Sequence, residues 1–278
     1  PMLLNGEVWP RNANWRYQGL TALHTAIAQS LNTCAVRTNL AYGVSNSYDF
    51  LVDKLGFENL TYTDSQQVGN MALGGFEKGV TTEEMSAAYA AFVNEGVYTK
   101  PRTFIRVEDA NGNVVLENEA QSTVAMKNTT AAIINHLLQE AALNGTGYEA
   151  QFSGMHIAGK TGSTNSNKDR YFVGYTPYYS CAVWAGYEHN QRIVASGNPC
   201  SAVFRKVMSA IHEDLPNKDF FSCSGLTSVS VCADSGMLAS ENCALDVRGS
   251  RVYTALVAAD NAPTAVCTMH TAPTYTVN

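Results

Sequence analysis

The sequence predicts an α+β fold, an antiparallel sheet flanked by helices, with a small cysteine-containing extension at its C-terminal end. Three observations carry this reading. Apolar residues recur at helical spacing through the first half of the chain. From His156 the period shortens to that of β-strands, in runs split by turn-forming clusters. After about Pro216 the composition turns to Ser, Thr, Ala and Cys with few charges. With 278 residues, 45% apolar and 15% charged, the chain has the volume and composition of a folded domain.

Residues 12–19 are polar and turn-rich. Leu20, Leu23, Ile27 and Leu31 then mark a helix that ends near Ser30-Leu31-Asn32. Tyr48, Leu51, Val52 and Leu55 signal a second helix, with Gly56 as its C-cap. Thr81 and Glu84 form a T-x-x-E capping box ahead of Met85, Ala88, Tyr89 and Phe92, and Gly96 closes that helix. Ile133, Ile134, Leu137, Leu138 and Ala141 repeat the pattern as far as Asn144-Gly145. Aromatic and β-branched runs at 156–158, 171–175 and 179–187 read as an antiparallel meander. A further run at 192–195 leads through Asn198-Pro199 into a last helix over 203–211. A boundary near residue 220 separates residues 1–219 from an extension, 220–278, with β-prone stretches at 229–231 and 252–257.

A formal charge of -6 gives no general attraction to phosphate backbones, and no Lys/Arg cluster forms a basic patch, so nucleic acid is not an expected partner. No apolar run reaches the length of a membrane span, and the first residues lack a signal-peptide pattern. Seven cysteines are present, four of them (Cys223, Cys232, Cys243, Cys267) in the last quarter. Disulfides that staple the extension in an oxidising compartment are the first expectation, in any of three pairings, with free thiols or zinc as the competing readings. The absence of a C-x2-C pair argues against zinc, so no metal or other cofactor is expected. Cys34, Cys181 and Cys200 lie in apolar surroundings and read as buried core residues. His189 and His212 adjoin acidic residues near a turn and a helix end, and read as surface histidines.

The most informative stretch is Gly159-Lys160-Thr161-Gly162-Ser163-Thr164. Residues 154–161 match the phosphate-binding pattern G-x-x-x-x-G-K-[ST] letter for letter. That loop needs a helix starting at the lysine, so that a helix N-terminus faces the phosphate. Residues 162–169 are turn-forming instead, which removes the nucleotide reading. The alternative is a K-T-G triad on a strand ending at Lys160. There an ammonium attracts a substrate carboxylate, the Ser163 or Thr164 hydroxyl hydrogen-bonds it, and a strand N–H helps stabilise an oxyanion. A second element, Ser30-Leu31-Asn32, is an S-x-N at a helix end, with a serine suited to proton relay and an amide suited to binding a peptide carbonyl.

These elements, in this order, resemble the second and third motifs of the penicillin-recognising serine acyltransferases. The flanking residues are similar to the class A penicillin-binding proteins. Pro10-Arg11-Asn12, Ala26 to Ala35 (AIAQSLNTCA), Ala72-Leu73-Gly74 with Val80-Thr81, Asp169 to Pro177 (DRYFVGYTP) and Val183 to Tyr187 (VWAGY) carry the likeness. So does C-x2-SG-x-LA-x3-C from Cys232 to Cys243, with Cys267 and His270. The resemblance implies a transpeptidase domain of the β-lactamase-like fold and a peptidoglycan D,D-transpeptidase activity outside the cytoplasmic membrane. The implied partners are stem peptides ending in D-Ala-D-Ala and β-lactam antibiotics. Ser30, Asn32 and Lys160 are the implied catalytic residues, and Thr161, Gly162, Ser163 and Thr164 the substrate-binding ones. A β-lactamase, a D,D-carboxypeptidase or a non-catalytic wall-binding module would be related outcomes.

One motif of the family is absent. Its nucleophile lies in S-x-x-K, where the lysine one turn on activates the serine. The residues three before each lysine here are Leu51, Gly75, Val97, Val124, Ile157, Asn165, Val203 and Leu215, none of them serine. The expectation is that the nucleophile, and any membrane anchor, belong to an upstream part of the protein, and that this chain alone forms no acyl-enzyme.

Overall fold

The computed structural model describes residues 2–4 and 6–271. It opens with a hairpin of β1 (Met2–Leu4) and β2 (Glu7–Trp9). Two helices follow, α1 (Leu23–Ala28) and α2 (Asn32–Tyr42). Next, α3 (Val44–Asp49) runs into a π-helical turn at Phe50–Lys54, and short α4 (Tyr62–Gln66) and α5 (Val68–Leu73) come after it. The capping box is formed: Glu84 N donates to Thr81 Oγ1 at 3.0 Å and Thr81 N donates to Glu84 Oε2 at 2.7 Å, starting α6 (Thr82–Val93).

The stretch after α6 holds β3 (Val97–Thr99), β4 (Arg106–Glu108), β5 (Val114–Glu117) and β6 (Ser122–Val124). In it β3 pairs with β6 and β4 with β5. The sequence reading has no strands here, because the apolar residues of the outer hairpin, Val114, Val115 and Leu116, face solvent rather than a core.

Helix α7 (Asn128–Leu143) is the buried spine, with Ala131, Ala132, Asn135, Leu137, Leu138, Ala141 and Ala142 all inside. It packs on a sheet of β7 (Ala158–Ser163), β8 (Arg170–Tyr175) and β9 (Ser180–Ala185), antiparallel in the order β7-β8-β9. Tyr175 Oη donates to Asn135 Oδ1 at 2.6 Å and Asn135 Nδ2 donates to the Phe92 carbonyl at 3.0 Å, tying β8, α7 and α6 together in the core. The other sheet face is covered by α8 (Pro199–Ile211), where Phe204 meets Phe172 with ring centroids 4.7 Å apart. Asn198 caps α8 by accepting from Cys200 N at 3.0 Å, with proline in the first turn.

The α+β expectation therefore holds, with three local corrections. Residues 192–195 form no strand, since none lies beside them and Val194 is fully in solvent. His212 is buried, not on the surface. Its Nδ1 lies 2.7 Å from the Met208 carbonyl, which can only accept, so Nδ1 carries the proton and Nε2 accepts from Thr176 Oγ1 at 2.8 Å. Cys200 is buried as expected, whereas Cys34 and Cys181 are only partly so.

The extension comprises β10 (Leu226–Cys232), α9 (Glu241–Ala244) and β11 (Val252–Ala258). Strands β10 and β11 form a hairpin in continuous register from Leu226↔Ala258 to Cys232↔Val252. The expected disulfides are not formed: all seven cysteines are free thiols. Cys232, Cys243, Cys267 and His270 converge instead, with their ligand atoms within 4.8 Å of one another. The sequence argument against a metal site relied on close spacing. Here the ligands come from a strand end, a short helix and a distant loop, so spacing carries no information about their convergence.

Candidate active site

Ser30 occupies a corner between two helices rather than the end of one: α1 stops at Ala28 and α2 begins at Asn32. Its backbone is left-handed, φ 55°, a conformation that costs a non-glycine residue about 1–3 kcal/mol and persists only when its surroundings enforce it. The enforcement is visible. Leu31 is buried and its N–H donates to the Ala26 carbonyl at 2.9 Å, while Ser30 N donates to the Ile27 carbonyl at 3.1 Å. The start of α2 is clamped from the N-terminal segment. Asn32 Nδ2 donates to the Arg11 carbonyl at 2.8 Å, and buried Asn12 accepts through Oδ1 from Thr33 N at 3.1 Å and Thr33 Oγ1 at 3.2 Å.

The K-T-G segment lies on β7, an edge strand of the central sheet. The strand does not end at Lys160 but continues through Ser163, with Lys160↔Val173, Gly162↔Tyr171 and Ser163↔Arg170 in register. Gly159 permits the close approach of β8. A Cβ there would lie 2.7 Å from Phe172 Cζ and 2.8 Å from the Val173 carbonyl oxygen.

Because side chains alternate along a strand, Thr161 and Ser163 share one face of β7 and Lys160 and Gly162 the other. Lys160 Nζ donates to the Thr161 carbonyl at 3.2 Å. Burial pulls its pKa down to about 8, leaving the ammonium mostly charged at neutral pH but easily discharged above it. Ser163 Oγ accepts from Arg170 Nη1 at 3.1 Å, and Arg170 Nη2 donates to the Gly197 carbonyl at 3.3 Å. Thr164 is occupied by the turn: its Oγ1 donates to Asp169 Oδ2 at 3.0 Å, and Asp169 N donates back to Thr164 Oγ1 at 2.8 Å.

Two features connect the motifs. Thr161 Oγ1 donates to Thr146 Oγ1 at 2.8 Å, and Thr146 N donates to the Ala28 carbonyl at 3.0 Å, two residues before Ser30. In addition, a cleft of about 580 Å³ is lined by Trp9, Arg11, Leu73, Asn32 of S-x-N and Asn165, the residue after Thr164. Ser30 and residues 160–163 do not line this cleft. Sequence reasoning assigned no role to Asn12, Thr146, Asn165, Asp169 or Arg170. Asn12 and the Asp169-Arg170 pair were visible only as parts of segments that resemble the family.

The family profile described as "Penicillin binding protein transpeptidase domain" matches residues 5–209, and the one described as "Penicillin-binding protein 1A, C-terminal domain" matches residues 222–272. Penicillin-binding protein 1A of Clostridium perfringens is 35% identical over 271 residues, covering 94% of this chain and 32% of that protein. Its counterpart in Clostridium novyi is 36% identical over 271 residues, covering 95% of this chain and 31% of that one. The chain thus spans about a third of these relatives' length. Among solved structures, penicillin-binding protein 1A from Haemophilus influenzae superposes with a TM-score of 0.76 at 20% identity, over 96% of this chain and 44% of that one. The PonA1 protein from Mycobacterium tuberculosis in complex with penicillin V gives 0.67 at 22% identity, over 81% and 65%. A shared fold over both segments, joined to sequence identity above 30% across nearly the whole length, makes this chain a member of the penicillin-binding protein transpeptidase family.

Proposed function

We propose that this chain forms the carboxylate-binding and proton-relay side of a peptidoglycan D,D-transpeptidase cleft, and that another segment of a longer protein contributes the nucleophilic serine. That serine would attack the penultimate D-Ala carbonyl of a stem peptide, releasing D-Ala. An amine of a neighbouring strand would then resolve the ester, and β-lactams would acylate the same serine. Ser30 relays the proton and Asn32 orients the peptide amide. Thr161 and Ser163, on one strand face, bind the terminal carboxylate in the field of Lys160, and Gly162 lets the backbone approach. Thr164 would contribute less directly, through the turn that holds β7 to β8. The substrate places the working protein outside the cytoplasmic membrane. We also read residues 1–219 as the transpeptidase portion and 220–278 as a separate extension.

The observation that supports this reading is the left-handed Ser30 turn, linked to the K-T-G strand through Thr146, with Asn32 of the same S-x-N lining one cleft together with Asn165. Lys160→Ala and Ser30→Ala in the longer protein should each sharply cut labelling by a fluorescent penicillin; labelling at the parental rate would remove the assignment. The chain on its own, with no S-x-x-K, should take up no label at all.

A further inference from the structure

The extension has almost no apolar core. Among the described residues its buried apolar side chains are Val231 and the cluster Cys232, Cys243 and Cys267, against which Ala239 and Val252 pack. So small a core of its own gives a unit of some fifty residues little internal stability, and a covalent or metal staple would add to its packing against α1 and α7. A single disulfide among three converging thiols would leave the third thiol unused, and Cys223 stands outside the group.

We propose that Cys232, Cys243, Cys267 and His270 bind a structural zinc ion through three thiolates and His270 Nε2. A tetrahedral zinc with bonds of about 2.3 Å to sulfur and about 2.0–2.1 Å to nitrogen separates its ligand atoms by roughly 3.5–3.8 Å. The observed cage fits that size: Cys232 Sγ lies 3.2 Å from His270 Nε2 and no pair exceeds 4.8 Å. All three thiols are buried, and the His270 side chain is 6% exposed, so the four donors form a closed set of the structural kind.

The surroundings match a metal site as well as the donors do. His270 Nδ1 lies 2.8 Å from Asp246 Oδ2, which can only accept, so Nδ1 carries the proton and Nε2 is free to ligate. Asp246 is itself held by Arg248 Nε at 2.8 Å. Backbone N–H groups point at the sulfurs: Asp234 N at Cys232 Sγ and Ser240 N at Cys243 Sγ, each at 3.4 Å, the usual support for thiolate charge. The neighbouring trio Asp234, Asp246 and His270 does not compete for the ion. Asp234 already receives Arg248 Nη2 and Arg251 Nη2 at 2.7 Å each, and two guanidiniums repel a cation there. His270 Nε2 also lies 3.3 Å from Asp234 Oδ2, a contact that yields to the metal.

The test begins with the chain as it stands, purified in reductant without chelator. Elemental analysis should find about one zinc per chain, and Co²⁺ in its place should show thiolate charge-transfer and tetrahedral d–d bands. Zinc should also protect Cys232, Cys243 and Cys267 from alkylation until a chelator is added, a readout that needs no variant. Cys243→Ser and His270→Ala should each reduce bound zinc at least several-fold, whereas Cys223→Ser should leave it unchanged. A metal-free chain that binds neither ion, equal zinc loss in Cys223→Ser, or a disulfide mapped among the three cysteines would overturn the proposal.

Discussion

Replacing Asn12 with alanine tests whether the N-terminal segment sets the S-x-N turn. Asn12 is 3% exposed and makes three hydrogen bonds: from Thr33 N, from Thr33 Oγ1, and to the Arg16 carbonyl at 2.8 Å. Alanine leaves the buried Thr33 amide at the first turn of α2 without an acceptor, worth about 1–3 kcal/mol, and removes a further net contribution of about 1 kcal/mol from the Arg16 bond. The expected loss is therefore about 2–4 kcal/mol, or a fall in Tm of roughly 3–7 °C for a chain of this size. Urea and thermal denaturation followed by circular dichroism would measure it.

A double-mutant cycle isolates the pair. Thr33→Val removes the hydroxyl but not the amide, and combined with Asn12→Ala it should reveal a coupling of about 0.5–1.5 kcal/mol. Because Asn32 is held by the carbonyl of Arg11, the residue before Asn12, penicillin acylation of the longer protein should slow as well. A loss below about 0.5 kcal/mol, the range of an ordinary surface substitution, would refute the clamp.

Gly159→Ala should cost about 1–3 kcal/mol by denaturation, because its Cβ meets the Val173 backbone in β8, which cannot turn aside; a neutral result would mean that β7 and β8 are less closely paired. Lys160 titrates near 8 in the folded chain against its ordinary 10.5, so between those values the unfolded chain holds more protons and stability should rise with pH. Lys160→Met should abolish that rise in denaturation midpoints measured on either side of the window. In the longer protein, acylation that depends on the charged ammonium should fall about tenfold per pH unit above 8. Ser163→Ala should cut acylation with little loss of stability. Thr164→Val should do the reverse, losing about 1 kcal/mol of stability with acylation retained.

The elements legible in the sequence were those with a local chemical signature. The Thr81–Glu84 box sets the start of α6, because a cap is decided within four residues, whereas α8, expected over 203–211, begins four residues earlier at Pro199, directly after its cap Asn198. Helix α2 had no such mark. Its N-cap is Leu31, which offers no side-chain acceptor, and its partner for Thr33 lies 21 residues upstream in Asn12. The extension of β7 past Lys160 was hidden for a related reason. Glycine reads as a breaker, yet Gly162 continues the strand, where an added Cβ would come within 3.0 Å of Tyr171 Cβ on β8. His212 looked like a surface residue because its neighbours in sequence are acidic, while its actual neighbours, Thr176, Tyr178 and Tyr179, come from another element.

The cysteine cage and the Ser30 turn are mechanically joined. Tyr253 lies on β11 next to Val252, the register partner of Cys232, and its ring meets His24 on α1 with centroids 4.4 Å apart. Helix α1 leads directly into the Ser30 corner. Burial lowers the pKa of His24 below its ordinary value, so at neutral pH the ring is uncharged and the contact is aromatic packing rather than an ion pair. Such a contact transmits position without depending on salt. The extension therefore braces the helix that feeds the S-x-N turn, and whatever holds Cys232 in place also fixes one end of that brace.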